Sequence, residues 1–281
     1  MNIQGGLVPE LPEVEVVRRG LAALLEGKRI TRVRCTQPAL RYPLPENLQR
    51  QLLGRTCQTV RRRAKYLQFF FENDLMLAWH LGMTGQFHVL PESEEAGLYE
   101  HVRICFAGGS SLRYRDMRRF GYAGLFSASD WQRHVWFARL GPEPLDAAFN
   151  KEYLYRCCAG RRAPIKTLIM QAQVVVGIGN IYASEALFRA GIHPARAANR
   201  ISTVRCGLLA SAIKQVLDEA IAAGGSSISD FVRTDGRPGY FAHRFQVYGR
   251  AEKSCLRCGE KTIRRIVQAG RSTFYCTGCQ H

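Results

Sequence analysis

The chain opens with a helical period. Pro12 suits a first helical turn, Glu13 and Glu15 complement the positive end of the helix dipole, and Val14, Val17, Leu21, Leu24 and Leu25 share one stripe before Gly27. From Arg29 to about Phe126 the period shortens. β-Branched and aromatic residues crowd into runs at Ile30–Cys35, Tyr66–Phe71, Leu75–His80, Val102–Ala107 and Ser110–Arg115, with turn signals at Glu72-Asn73-Asp74 and Gly108-Gly109. These runs predict a β-sandwich or flattened barrel with the first helix packed against it. After Gly141-Pro142-Glu143-Pro144 helical spacing returns near Asn150–Cys158, Pro164–Gln171, Asn180–Ala190 and Ser202–Ala223. The apolar, glycine-bearing turn from Val174 to Gly179 delivers Asn180 to a helix start, where backbone amides suit a phosphate. Gly224 to Gly239, rich in Gly, Ser and Asp, predicts a loop.

Composition adds a partner. The 281 residues suffice for roughly two domains, and 40 Lys and Arg against 23 Asp and Glu leave a net charge of +17, which points to a polyanion, nucleic acid foremost. No apolar run approaches the roughly 18 residues of a spanning helix, and the first residues form neither a signal nor a transit peptide. The expectation is a cytoplasmic protein with no membrane partner. Of ten cysteines, six (Cys35, Cys57, Cys105, Cys157, Cys158 and Cys206) lack ligand spacing and read as packed thiols. The other four form Cys255-x2-Cys258, then 17 residues, then Cys276-x2-Cys279, two knuckles that close a tetrahedral site for one structural Zn2+. From Tyr240 onward eight Lys or Arg face two Glu, a charge suited to lying on phosphates.

Three central motifs are individually modest. Asp116-Met117-Arg118-Arg119-Phe120-Gly121 places cationic forks beside an aromatic ring, with a surface arginine pair beside a core phenylalanine as the blander alternative, and the methionine of His80-Leu81-Gly82-Met83-Thr84-Gly85 alone reads as packing filler. Together they supply an apolar wedge and a cation, the means to enter a duplex and fill the hole left by an extruded base. Arg61-Arg62-Arg63-Ala64-Lys65 suits either a solvated strand or a phosphate track. The heptapeptide Pro9-Glu10-Leu11-Pro12-Glu13-Val14-Glu15 places two carboxylates beside a proline. Within a peptide that proline's nitrogen is an inert tertiary amide; free, it is a secondary amine titrating at about 7.7–8 and able to form an iminium.

From Pro9 to its end the chain resembles the bacterial formamidopyrimidine-DNA glycosylase family. The likeness rests on PELPEVE at 9–15, RRAKYL at 62–67, HLGMTG at 80–85, RRFG at 118–121, LGPEPL at 140–145, GNIYASEALF at 179–188, and GYFA with QVYGR near 239–250, together with the zinc knuckles. The sibling endonuclease VIII family shares the architecture, but Leu11 and the RRFG stretch favour the purine enzyme.

The resemblance implies an α+β multidomain chain. An N-terminal β-sandwich with an N-terminal helix spans 9–133, a linker, helix-two-turn-helix domain and lesion-capping loop 134–241, and a C-terminal β-hairpin zinc finger 242–281. It implies a monomeric, nucleoid-associated enzyme of base-excision repair. Acting on double-stranded DNA, it removes oxidised purines and cuts abasic sites by β,δ-elimination. Pro9 then forms a Schiff base with C1′, Glu10 manages protons at the sugar, and Lys65 and Arg271 complete the catalytic set. Glu13 and Tyr240 meet the lesion. Met83, Arg118 and Phe120 fill the vacated stack, Asn180 joins Lys65 and Arg271 on the flanking phosphates, and His101, Lys166 and Tyr182 match further DNA-binding positions. Two departures stand out: Met117 replaces a common proline, and Ser229 replaces a basic residue of the lesion loop.

The largest departure is Met1–Val8, which buries Pro9 inside a peptide. Val8 marks the expected initiator, because a GUG codon can start with a methionine that is removed before proline, and Pro9 is then the first residue of the working enzyme. If the eight residues are retained, the alternative is a catalytically silent lesion-binding protein.

Overall fold

The computed structural model describes residues 9–37, 39–225 and 244–281. Met1–Val8, Ser229 and Tyr240 lie outside them. The described chain forms two compact units, 9–138 with 223–225, and 139–222 with 244–281.

The first unit begins with α1 (Leu11–Leu25), whose Leu11, Val14, Val17, Leu21 and Leu25 are buried. Leu24, expected on that stripe, is instead exposed. The strands are β1 (Ile30–Cys35), β2 (Cys57–Arg63), β3 (Tyr66–Phe71), β4 (Leu75–His80), β5 (Gln86–Pro91), β6 (Glu100–Phe106), β7 (Ser110–Arg115) and β8 (Tyr122–Ser127), with the short α2 (Leu48–Leu52) after β1. They make two antiparallel four-stranded sheets, β1-β6-β7-β5 and β2-β3-β4-β8. Apolar faces of both sheets and of α1 share one core, where Trp79 meets Tyr114 (4.7 Å between ring centres) and Phe87 (5.2 Å). Each fully buried side chain of this size contributes roughly 1.5–3 kcal/mol.

Register decides what gathers at the end of this sandwich. In one sheet Gln86 and Glu100 both face Arg115, so the loops entering β5 and β6 and the loop leaving β7 emerge together. In the other sheet Arg63, Tyr66, His80 and Tyr122 align across four strands, placing the Ala64-Lys65 turn, the loop after His80 and the entry to β8 side by side.

In the second unit come α3 (Lys151–Cys158), α4 (Ile165–Ile169), α5 (Asn180–Arg189), α6 (Thr203–Ala222) and the hairpin of β9 (Ile263–Gln268) with β10 (Arg271–Cys276). Asn150 caps α3, its side-chain oxygen accepting the Tyr153 N–H at 2.9 Å. The hairpin packs on Phe188 of α5 through Val247, Cys255, Ile263, Phe274 and Cys276. Among the described residues no helix is long and apolar enough to cross a membrane.

Candidate active site and nucleic-acid interface

Two contacts orient α1 along β2. Near its end Glu26 accepts the Val60 N–H (2.8 Å), and one turn into the helix Glu15 takes Arg62 Nε (3.1 Å). Pro9 and Glu10 lie further along the same direction, so the start of α1 reaches the end of the sandwich that carries the Ala64-Lys65 turn. A capping box closes that start: the Glu10 and Glu13 side chains each accept the other's backbone N–H, Glu10 N to Glu13 Oε2 at 3.0 Å. Both carboxylates are buried. Lys65 sits at the hairpin tip beside Ala64, which adopts a left-handed φ of +54°. Arg62 also donates to the Ala64 carbonyl (2.9 Å), so it braces the turn, while Arg61 lies 5.0 Å from the Phe70 ring. This internal use was hidden in the basic run.

The wedge motifs converge on a carboxylate that motif reading passed over. Asp116 is fully buried and accepts Thr84 Oγ1 (2.5 Å), the Tyr114 hydroxyl (3.0 Å) and the Gly121 N–H (2.8 Å). Burial, and then the Asp116 charge, push the Tyr114 phenol far up, which keeps it a donor. Thr84 in turn accepts the Arg118 N–H (3.1 Å), and the Asp116 carbonyl takes His101 Nε2 (2.8 Å) and the Arg119 N–H (3.3 Å). Buried His101 thus ties β6 to the wedge loop, and that loop stays closed with Met117 in place of proline. Gly82 is indispensable to the convergence. Its φ is +69°, and a Cβ there would stand 2.4 Å from the Phe120 backbone. Met83 is half-buried; Arg118 and Phe120 are exposed, the guanidinium 4.6 Å from the ring.

His80 belongs to the same end. It stacks on Tyr122 (5.0 Å), and its Nδ1 accepts the Gly82 N–H (3.0 Å). Burial, then Lys65 and Arg41, lower its pKa to about 3, so the imidazole is neutral.

In the second unit Lys166 is buried at 2% exposure, its ammonium donating to Asn180 Oδ1 (2.5 Å) and Thr273 Oγ1 (2.7 Å). Asn180 donates to the Ser272 carbonyl (2.9 Å), fixing the start of α5 against β10. Arg271 is exposed just past a two-residue turn in which Ala269 and Gly270 both have positive φ, the I′ geometry of tight hairpins. Tyr182 is buried. Behind them Glu185 takes three backbone N–H groups, from Gln246 (2.9 Å), Val247 (3.0 Å) and Tyr248 (2.8 Å); burial pushes its carboxyl up against these bonds.

The four predicted cysteines come together, all Sγ atoms lying within 4.8 Å of one another. The Cys255–Cys279 and Cys258–Cys276 separations are 3.8 Å. A tetrahedron with Zn–S bonds of about 2.3 Å has edges near 3.8 Å, so the donor set fits zinc in size and chemistry. Backbone N–H groups of Lys261 and Glu260 lower the Cys258 thiol to about 7, toward the thiolate a metal needs.

Comparison with known proteins agrees with this assembly. The Formamidopyrimidine-DNA glycosylase N-terminal domain matches residues 8–123, the H2TH domain of the same enzymes 140–232, and the zinc finger found in FPG and IleRS 253–281. A sandwich, an H2TH segment and a zinc-finger hairpin in this order define a three-module DNA glycosylase. Formamidopyrimidine-DNA glycosylase of Alkalilimnicola ehrlichii is 49% identical over 279 residues, covering 97% of this chain and 100% of the relative. That of Thiobacillus denitrificans is 50% identical over 273 residues, with the same coverage. Solved complexes of Lactococcus lactis Fpg with abasic-site DNA and with Fapy-dG DNA each superpose at a TM-score of 0.89 and 34% identity, covering 97% of this chain and 99% and 100% of theirs. The chain belongs to the formamidopyrimidine-DNA glycosylase family, DNA glycosylases of base-excision repair, and carries the family's one structural zinc site.

Proposed function

We propose that this protein excises oxidised purines, 8-oxoguanine and formamidopyrimidines, from duplex DNA and cleaves the resulting abasic site by β,δ-elimination. The observation that carries the reading is the gathering of Pro9, Glu10, Lys65, Met83, Arg118 and Phe120 at one end of one unit. The Pro9 nitrogen attacks C1′, the bond from C1′ to the base breaks, and the base leaves with a proton while an iminium joins Pro9 to the sugar. Glu10 holds the proton exchanged with the sugar oxygen as the ring opens. Loss of the C2′ proton expels the 3′ phosphate, and a second elimination expels the 5′ phosphate. Met83 and Phe120 fill the vacated stack, and Arg118 faces the orphaned cytosine. Lys65, Asn180 and Arg271 bind the phosphates beside the lesion; Lys166 acts through Asn180 and His101 through Asp116. Glu13 and Tyr240 hold the extruded base. Residues 9–133 supply the chemistry, 134–241 the helix-two-turn-helix and lesion loop, and 242–281 the zinc hairpin, whose metal holds the fold. The Lactococcus lactis complexes with abasic-site and Fapy-dG DNA support this substrate class.

The chemistry requires Pro9 as a free amine, so Met1–Val8 must be absent from the working enzyme. Borohydride trapping on an 8-oxoguanine duplex tests this. The chain beginning at Pro9 is expected to give a covalent protein–DNA adduct, and the chain retaining Met1–Val8 none. An adduct from the longer chain, or none from the shorter, overturns the reading. Faster excision of oxidised pyrimidines than of purines would assign an endonuclease VIII-like specificity.

A further inference from the structure

One anchored surface beside the wedge has no role in the chemistry above. Residues 97–100 form a tight turn into β6, the Glu100 N–H donating to the Gly97 carbonyl (3.4 Å). The buried Glu100 carboxylate receives the Gly97 N–H (3.4 Å), Arg103 Nε (2.7 Å) and Arg113 Nη1 (3.4 Å), with Arg115 Nη2 at 4.0 Å. The Arg115 guanidinium fills the space a side chain at Gly97 would need, 2.3 Å from an added Cβ. Tyr99 is held at φ +60°, a conformation that a bulky residue adopts only when its surroundings impose it. Its carbonyl accepts the Asp116 N–H (3.0 Å), which joins this turn to the wedge loop. What all this raises into solvent is apolar: Leu98 at 82% and Tyr99 at 53% exposure, beside Met117 at 58% and Phe120 at 38%. Single exposed apolar residues are ordinary, whereas a group of them on one braced turn marks a contact surface.

We propose that Leu98 and Tyr99 form a second wall of the duplex wedge and seat against bases of the strand opposite the lesion, a role that rests on reading Met83, Arg118 and Phe120 as the wedge itself. The surface continues the Phe120 face through the Tyr99–Asp116 bond. Exposed Arg119 beside it suits the phosphates of a nucleic acid. A ring and a branched alkyl group suit the open face of an unstacked base step, and the Tyr99 hydroxyl is the one group of the pair able to donate to a phosphate.

The test uses a duplex with a tetrahydrofuran abasic analogue and 2-aminopurine in the opposite strand beside the orphaned base. Tyr99→Asn removes the ring but keeps the turn, since asparagine tolerates the left-handed conformation, and Leu98→Ser removes an already exposed group. The double variant is expected to bind roughly tenfold more weakly, the scale of one lost stacking contact, and to lose the change in 2-aminopurine emission expected of the native chain. Unchanged affinity and emission, alongside weakened binding by Met83→Ala and Phe120→Ala, would overturn the proposal. If those two variants also bind normally, the wedge reading has failed. Sedimentation showing that Leu98 and Tyr99 govern self-association instead of DNA affinity would reassign the surface to a second copy. Should Tyr99→Asn lower the melting midpoint, Leu98→Ser alone decides, with a loss of a few-fold expected and no loss counting against the proposal.

Discussion

Two hairpins of this protein present a cation at a two-residue turn, and they are held in different ways. The β2–β3 turn with Lys65 belongs to a four-stranded sheet whose Val60, Leu67 and Phe69 enter the sandwich core, and a side-chain bridge from Glu15 through Arg62 to the Ala64 carbonyl steadies its tip. The β9–β10 turn before Arg271 has only two strands, and β9 leaves Val267 in solvent. An isolated two-stranded hairpin is marginal in water. Here two of the six residues in its core cluster are cysteines of the metal site, and buried Lys166 anchors the base of β10. Position comes from packing in one hairpin and from zinc in the other.

The comparison breaks most visibly by removing the metal. Cys276→Ser or chelation is expected to unfold the hairpin, since structural zinc supplies on the order of 10 kcal/mol of folding free energy in small zinc domains. Hydrogen exchange should show residues 255–281 unprotected and β2–β3 unchanged, with duplex affinity down by about 100-fold or more. Equal loss of protection in both hairpins would refute the contrast. Next, Asp116→Ala strands several buried donors and should cost about 2–4 kcal/mol in urea denaturation, with lesion binding weakened beyond what Phe120→Ala causes.

Third, His80 stays neutral when folded but binds a proton below about 6.5 when unfolded. Stability should therefore fall as the pH drops from about 6.5 toward 3, by about 1.4 kcal/mol per unit from this group. His80→Asn should flatten that slope; an unaltered slope would mean that other groups set it. The smallest effect belongs to the bridge. Arg62→Met and Glu15→Gln should show a coupling of about 0.5–1 kcal/mol in a double-mutant cycle, yet each should slow excision more than it weakens binding, because the bridge acts through Lys65.

Much of this was legible beforehand because local signals were strong. The runs at Ile30–Cys35, Tyr66–Phe71, Leu75–His80 and Ser110–Arg115 are strands at the predicted bounds, and cysteine spacing found the metal site. Strands β5 and β8 escaped notice, and β2 showed only its basic end, as one of two readings. Arg61–Arg63 looks solvated although Arg61 covers a ring and Arg62 meets Glu15, and Gly124 dilutes β8. Asp116, Glu100 and Glu185 were missed for a single reason. A buried carboxylate is defined by the donors around it, and each of these three draws at least one from a distance, 32, 13 and 61 to 63 positions away, beside the nearer donors of Asp116 and Glu100. Lys166 was named through the resemblance, but its burial against Thr273 across 107 residues leaves no local trace.

The box at the start of α1 also bears on entropy. A chain end ordinarily frays, and fixing one backbone residue costs roughly 1–2 kcal/mol. Here Glu13 grips the Glu10 N–H and buried Leu11 packs immediately behind it, so folding has already settled that ordering. An amine released at Pro9 keeps a ring-locked φ and a single free backbone torsion before any sugar arrives. On the proposed reading of Pro9 as nucleophile, the helix that follows aims it, and its encounter with C1′ need not select one conformation from many.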